Sequence, residues 1–134
     1  MFSRIREITD PFGMMLRISV EPHPSGALIA LERLDQADRP SVLFDCYGTE
    51  LLSGYIMAAR LALPDALPEE SCGGRFPSRL CLTQSPKTSI QIRQGEAGWL
   101  FEIPAPFWDK LYAELCMVLA HARELSRASV ERVH

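Results

Sequence analysis

The sequence predicts an α+β fold in which two pseudo-symmetric β-β-β-α repeats build one antiparallel sheet of about six strands, with two helices packed on one of its faces. Three observations predict it. Segments with apolar residues at every second position come in two groups of three. Each group is followed by one segment whose apolar residues recur at helical spacing, and prolines and glycines mark most of the boundaries between them.

Met15-Leu16-Arg17-Ile18-Ser19-Val20-Glu21 alternates cleanly, with Leu16, Ile18 and Val20 on one face and Arg17, Ser19 and Glu21 on the other, as a half-buried strand requires. The turn Pro22-His23-Pro24-Ser25-Gly26 leads to a second strand from Ala27 to Arg33, and a polar connection through Asp35, Asp38 and Pro40 leads to a third from Ser41 to Cys46. Thr49 is a fitting N-cap for a helix in which Leu51, Leu52, Tyr55, Ile56, Ala59 and Leu63 share a face until Pro64 ends it. Residues 64–78 are rich in proline, glycine and acidic side chains and read as a linker. Strands then follow over Arg79 to Thr83, Ser89 to Arg93 and Trp99 to Ile103, with Trp99 and Phe101 directed to the core. Pro106 opens a second helix whose stripe runs from Phe107 and Trp108 through Leu111, Leu115 and Ala122 to Leu125, and whose end frays near Ser129.

The whole chain is expected to form one domain: repeat one about 14–63, the linker 64–78, and repeat two about 79–127. One constant separation lays Leu43-Phe44-Asp45 on Leu100-Phe101-Glu102 and Tyr55 on Tyr112, while slightly longer ones, differing by one residue, lay Arg17 on Arg79 and Leu31 on Ile92. Each repeat has an apolar sheet face and an apolar helix stripe that it does not cover alone, so two repeats together close a core. That arrangement leaves the other sheet face open.

With 134 residues the chain is long enough to bury about two-thirds of its unfolded surface, so it needs neither metal nor disulfides to fold. Its 14 basic and 17 acidic residues argue against a protein that coats duplex nucleic acid by neutralising phosphates. Positive charge is locally in excess over residues 71–103, which leaves room for a basic patch. The longest apolar stretches, such as Gly26 to Leu31, are far too short to span a bilayer, and the amino terminus lacks a signal-peptide core, so a cytoplasmic location is expected. Cys46, Cys72, Cys81 and Cys116 show no metal or redox spacing, and no cofactor is implied. Arginine far outnumbers lysine, a balance compatible with a GC-rich bacterial genome.

In its order of elements, duplicated strand-strand-strand-helix units from about Met14 to Arg127, the chain resembles the Whirly and Pur-alpha families of single-stranded nucleic-acid-binding proteins. Those families usually have four strands per repeat. The resemblance implies an oligomer, here a homodimer, whose exposed sheet faces or edges engage a single strand. It carries over no binding motif.

The polar strand faces supply candidate ligand contacts at Arg17, Ser19, Arg79, Thr83, Gln91 and Arg93, with Arg75 and Lys87 at the margins. If these face one way they form a single surface, and arginine with hydroxyl and amide groups suits phosphates and bases. The plain alternative is a solvated sheet face. Ser71-Cys72-Gly73-Gly74-Arg75 puts a cysteine beside an arginine and two glycines, which in an exposed loop would favour a thiolate, although no general base lies near it in sequence. His23, His121 and His134 read as surface residues. Asp45 and Glu102 are expected at equivalent places, where a pseudo-twofold axis would bring two carboxylates together. The expected function is therefore non-catalytic binding, with single-stranded DNA or RNA the ligand to test. A protein-protein or oligomerisation module and a small cysteine-dependent enzyme are the alternatives.

Overall fold

A computed structural model describes residues 4–24, 26–95 and 99–133. Its elements run β1 (Arg4–Thr9), β2 (Met15–His23), β3 (Gly26–Arg33), β4 (Ser41–Phe44), α1 (Cys46–Ala62), β5 (Glu70–Cys72), β6 (Ser78–Thr83), β7 (Ser89–Gln94), β8 (Trp99–Pro104), a 3-10 turn (Ala105–Phe107) and α2 (Trp108–Val133). The α+β class holds, but the single six-stranded sheet does not. The strands form two separate four-stranded antiparallel sheets, β1-β2-β3-β4 and β5-β6-β7-β8.

Two segments account for the difference. β1 precedes the first predicted strand and buries only Ile8, because as an edge strand it turns mostly charged side chains to solvent. β5 lies inside the stretch read as a linker, where Cys72 is buried and Glu70 pairs with Leu80. No ladder joins β4 to β5. Helix α1 connects them instead and contacts β3 and β4 of one sheet and β5 and β6 of the other. Helix α2, although it follows the second sheet in the chain, packs on β2 and β3 of the first and against α1. Both helices thus meet the first sheet and each other, and α1 also reaches the second sheet.

The predicted inner faces are the core. Leu16, Ile18, Val20, Ile29, Leu31, Val42 and Phe44 from the first sheet join Leu80, Ile90, Ile92, Phe101 and Ile103 from the second in one buried cluster. Leu52, Tyr55 and Ile56 of α1 and Trp108, Leu111 and Leu115 of α2 complete it. Burial of such side chains contributes roughly 1.5–3 kcal/mol each before the opposing loss of chain entropy. Polar atoms among them are satisfied: Trp108 Nε1 donates to the Ile103 carbonyl at 2.8 Å, and Tyr55 Oη donates to the Pro68 carbonyl at 3.2 Å. The Trp99 side chain and His134 lie outside the described residues.

Helix α1 starts earlier than its apolar period indicates. Its N-cap is Asp45, not Thr49; Asp45 Oδ1 accepts from the Gly48 N–H at 2.7 Å. Thr49 sits inside the first turn, fully buried, with Oγ1 donating to the Asp45 carbonyl at 2.9 Å. Asp45 and Glu102 are consequently not equivalent: one caps a helix, while the other lies within β8 and accepts from Gln91 Nε2 at 3.4 Å. The pairing registers also differ from the expected alignment, since Leu31 pairs with Val42 where Ile92 pairs with Phe101.

Candidate functional site

The candidate ligand residues divide among four places, one of them the β5–β6 loop that holds Arg75. Arg17 and Ser19 lie on the outer face of the first sheet, Arg79, Thr83, Gln91 and Arg93 lie on the outer face of the second, and Lys87 occupies the β6–β7 turn. Arg17 and Ser19 thus belong to a different sheet from Arg79, Thr83, Gln91 and Arg93.

On the first sheet Arg17 is neutralised by its cross-strand neighbours. Glu7 of β1 and Glu32 of β3 stand directly opposite it on either side. Their carboxylates lie 2.9 Å and 3.7 Å from its guanidinium. Ser19 belongs to the next outward row, Ile5-Ser19-Ala30-Leu43, which is mostly apolar; Ile5 is 59% and Leu43 39% exposed.

On the second sheet the antiparallel register sets Arg79 opposite Arg93. Both are exposed, and among the described residues the only ion pair they make is Arg79 with Glu69 at 3.3 Å. Like charges directly opposed across a ladder repel, and an anion lying over them relieves that repulsion. They form part of an open groove of about 910 Å³ whose walls include Ser71, Gly73, Pro77 and Gly95. Gly73 and Gly95 expose backbone without side-chain cover, with nothing within 4 Å of where a Cβ would stand.

Arg75 lies in the loop between β5 and β6, near this end of the sheet. Its guanidinium is 5.8 Å from the Phe76 ring centroid, and Nη2 is 3.4 Å from His23 Nε2 in the first sheet. Gln91 turns to Glu102, and Thr83 Oγ1 donates to the Ser85 carbonyl at 3.1 Å, so both are engaged within the sheet. Arg75, Arg79 and Arg93 therefore stand toward one end of the second sheet, with Lys87 beyond the other end of the β6–β7 hairpin. Sequence reasoning missed Ser71 and Gly95 as groove walls. It also left a usable signal unread, because strand bounds of 79–83 and 89–93 already set Arg79 opposite Arg93.

Cys72 is not the exposed thiol that its glycine-rich surroundings imply. It is 4% exposed and lies against the start of α1, 3.5 Å from where a Cβ on Gly48 would be. Burial pushes its pKa up, and the Asp45 and Glu70 carboxylates add to that rise, so the neutral thiol is favoured. Asp45 is committed to its cap, and no group of three or more histidine, cysteine, aspartate or glutamate residues suited to a metal occurs among the described residues. His121 is only partly a surface residue; its Nε2 is buried without a hydrogen-bond partner. Among the described residues no helix is long and apolar enough to cross a membrane.

No protein-family model matches the chain, and no curated protein matches its sequence. The arginine groove is the best-supported candidate site on structural grounds alone.

Proposed function

We propose that this chain is a non-catalytic binding protein whose second sheet takes an extended anionic ligand, with single-stranded nucleic acid as that ligand. The observation that carries the reading is the Arg79–Arg93 pair, opposed across β6 and β7 and only partly compensated by Glu69. A strand of phosphates laid over the groove would neutralise both guanidiniums, while Ser71 and the bare backbone at Gly73 and Gly95 would give close approach. The order of four strands then a helix, occurring twice in the chain, supports the same reading by its likeness to the Whirly and Pur-alpha plan. In this view the two halves descend from one duplicated unit, and the working form is a homodimer.

The test is a titration of labelled single-stranded DNA and RNA, with duplex as control, at low and near-physiological salt. Single-strand binding that weakens with salt, and falls several-fold in both Arg79→Gln and Arg93→Gln, is the expected result. Arg17→Gln should leave binding unchanged, because Glu7 and Glu32 already hold that guanidinium. Binding that is absent at low salt, or indifferent to Arg79 and Arg93, rejects the proposal.

A second reading rests on the first sheet. The Ile5-Ser19-Ala30-Leu43 row and the edge strand β1 suit a protein partner or a second copy of the chain. Loss of association in Leu43→Lys with nucleic-acid binding retained would assign that face separately.

A further inference from the structure

We propose a second ligand site, for a small zwitterion with an apolar side chain such as a hydrophobic amino acid, in the cleft between the β1–β2 and β6–β7 turns. The cleft has a volume of about 630 Å³, within the usual range for small-molecule sites. It lies away from the arginine groove and does not depend on the function proposed for it.

Its floor is preorganised. Arg33 is only 8% exposed, and its Nε and Nη2 donate to Asp35 at 3.2 Å and 2.6 Å while Nη1 donates to the Glu102 carbonyl at 3.2 Å. That pair is closed on itself and contributes no net charge. The cleft's remaining charges are Asp10 and Lys87, one on each flanking turn. Asp10 Oδ1 accepts from the Phe12 and Met14 N–H groups, both at 2.9 Å, and Oδ2 makes no hydrogen bond among the described residues. Lys87 is exposed and has no ion-pair or hydrogen-bond partner among the described residues.

The walls are apolar. Phe12 is 79% exposed on a turn closed by main-chain hydrogen bonds between Asp10 and both Gly13 and Met14, and Pro104 and Pro106 also line the cleft. A large ring held out in water beside a cleft is a surface for a ligand to cover. An anion alone would meet Asp10 and a cation alone would meet Lys87. A zwitterion offers its carboxylate to one and its ammonium to the other, and lays its side chain on Phe12 and the prolines.

The experiment titrates isotopically labelled protein with phenylalanine, phenylalaninamide and N-acetylphenylalanine, following the amide resonances of Gly13, Thr88 and Ala105. Phenylalanine should shift these signals at millimolar concentration, and each blocked analogue should bind roughly fivefold more weakly, as expected for losing one partly exposed ion pair. Lys87→Gln should abolish the preference over the amide. Asp10→Asn, which keeps the Oδ1 acceptor and hence the turn, should abolish the preference over the acetylated form. Equal binding of all three compounds, tighter binding of either blocked analogue, or no shift at millimolar phenylalanine overturns the proposal.

Discussion

Gln94, at the end of β7, closes the outer edge of β4 by acting through its side chain as a strand would through its backbone. The Leu43 N–H donates to Gln94 Oε1 at 2.9 Å, and Gln94 Nε2 donates to the Leu43 carbonyl at 2.6 Å and to Ser78 Oγ at 2.9 Å. One carboxamide thus satisfies both main-chain groups that β3 leaves free at Leu43 and ties the first sheet to the second. Gln94→Leu keeps similar bulk but leaves those groups unpaired, so it should lower stability by about 1–2 kcal/mol in urea unfolding. Amide exchange at Leu43 should accelerate more than at Val42, and equal protection of the two would contradict this role.

A second tie between the sheets is sensitive to acid. Burial works to raise the Asp35 pKa, but the hydrogen bond from Arg33, the Met15 N–H and the Arg33 charge together hold it below the ordinary carboxylate value. A depressed folded-state pKa contributes stability that is present above the unfolded value, about 3.9, and is lost as pH falls through the folded value. Asp35→Asn should therefore be less stable than the parent at pH 7, by about 3 kcal/mol because Arg33 is left without its counter-charge. The gap should shrink as the buffer is taken below the ordinary carboxylate range. A gap that is unchanged in acid would show that the charge on Asp35 is not what matters.

Gly48 is required by space. A Cβ there would stand 2.9 Å from Phe44 Cδ1 and 3.3 Å from Asp45 Oδ1, against a ring that is almost wholly buried. Elsewhere in a helix, alanine gains about 1 kcal/mol over glycine. Here Gly48→Ala should be net destabilising by about 1 kcal/mol, since the displaced Phe44 ring has no free space to enter. Gly54, also in α1, has nothing within 4 Å of its missing Cβ, and Gly54→Ala should be stabilising. Thermal unfolding of the two variants should move in opposite directions.

The cysteines should follow burial in their reactivity. Cys116 is exposed and Cys72 is buried with its pKa raised, so a thiol reagent at neutral pH should label Cys116 first and Cys72 only as the protein opens. Fast labelling of Cys72 in the native protein would return the cysteine-dependent enzyme to consideration.

What could be read in the sequence follows from which residues face the core. β2, β3, β6 and β7 alternate because one side of each is dry, and their bounds are close to those expected. β1 was invisible because Arg4, Arg6 and Glu7 interrupt the apolar signal, and their reason lies far off in the chain, as with Arg6, whose Nη2 is 2.9 Å from Glu114 of α2. β5 is too short to show a period. Missing those two edge strands made two sheets look like one. The same omission hid the closer of the two carboxylates that neutralise Arg17, since Glu7 belongs to β1, whereas Glu32 on β3 and the Arg79–Arg93 opposition needed only hairpins whose strands were both recognised.

On the function proposed above, that opposition sets stability against binding. Arg79 and Arg93 stand opposite each other in the ladder, and among the described residues only Arg79 has a carboxylate partner, Glu69, so Arg93→Gln removes a like charge while keeping a side chain of comparable length. The variant should gain a few tenths of a kcal/mol in urea unfolding at low salt. Added salt should erase the gain, because exposed charges are screened over about 10 Å at 0.1 M. Binding to single strands should fall in the same variant. A residue whose removal strengthens the fold and weakens the complex is held in place by its ligand. A variant that is both less stable and unchanged in binding would make the arginine pair part of the scaffold.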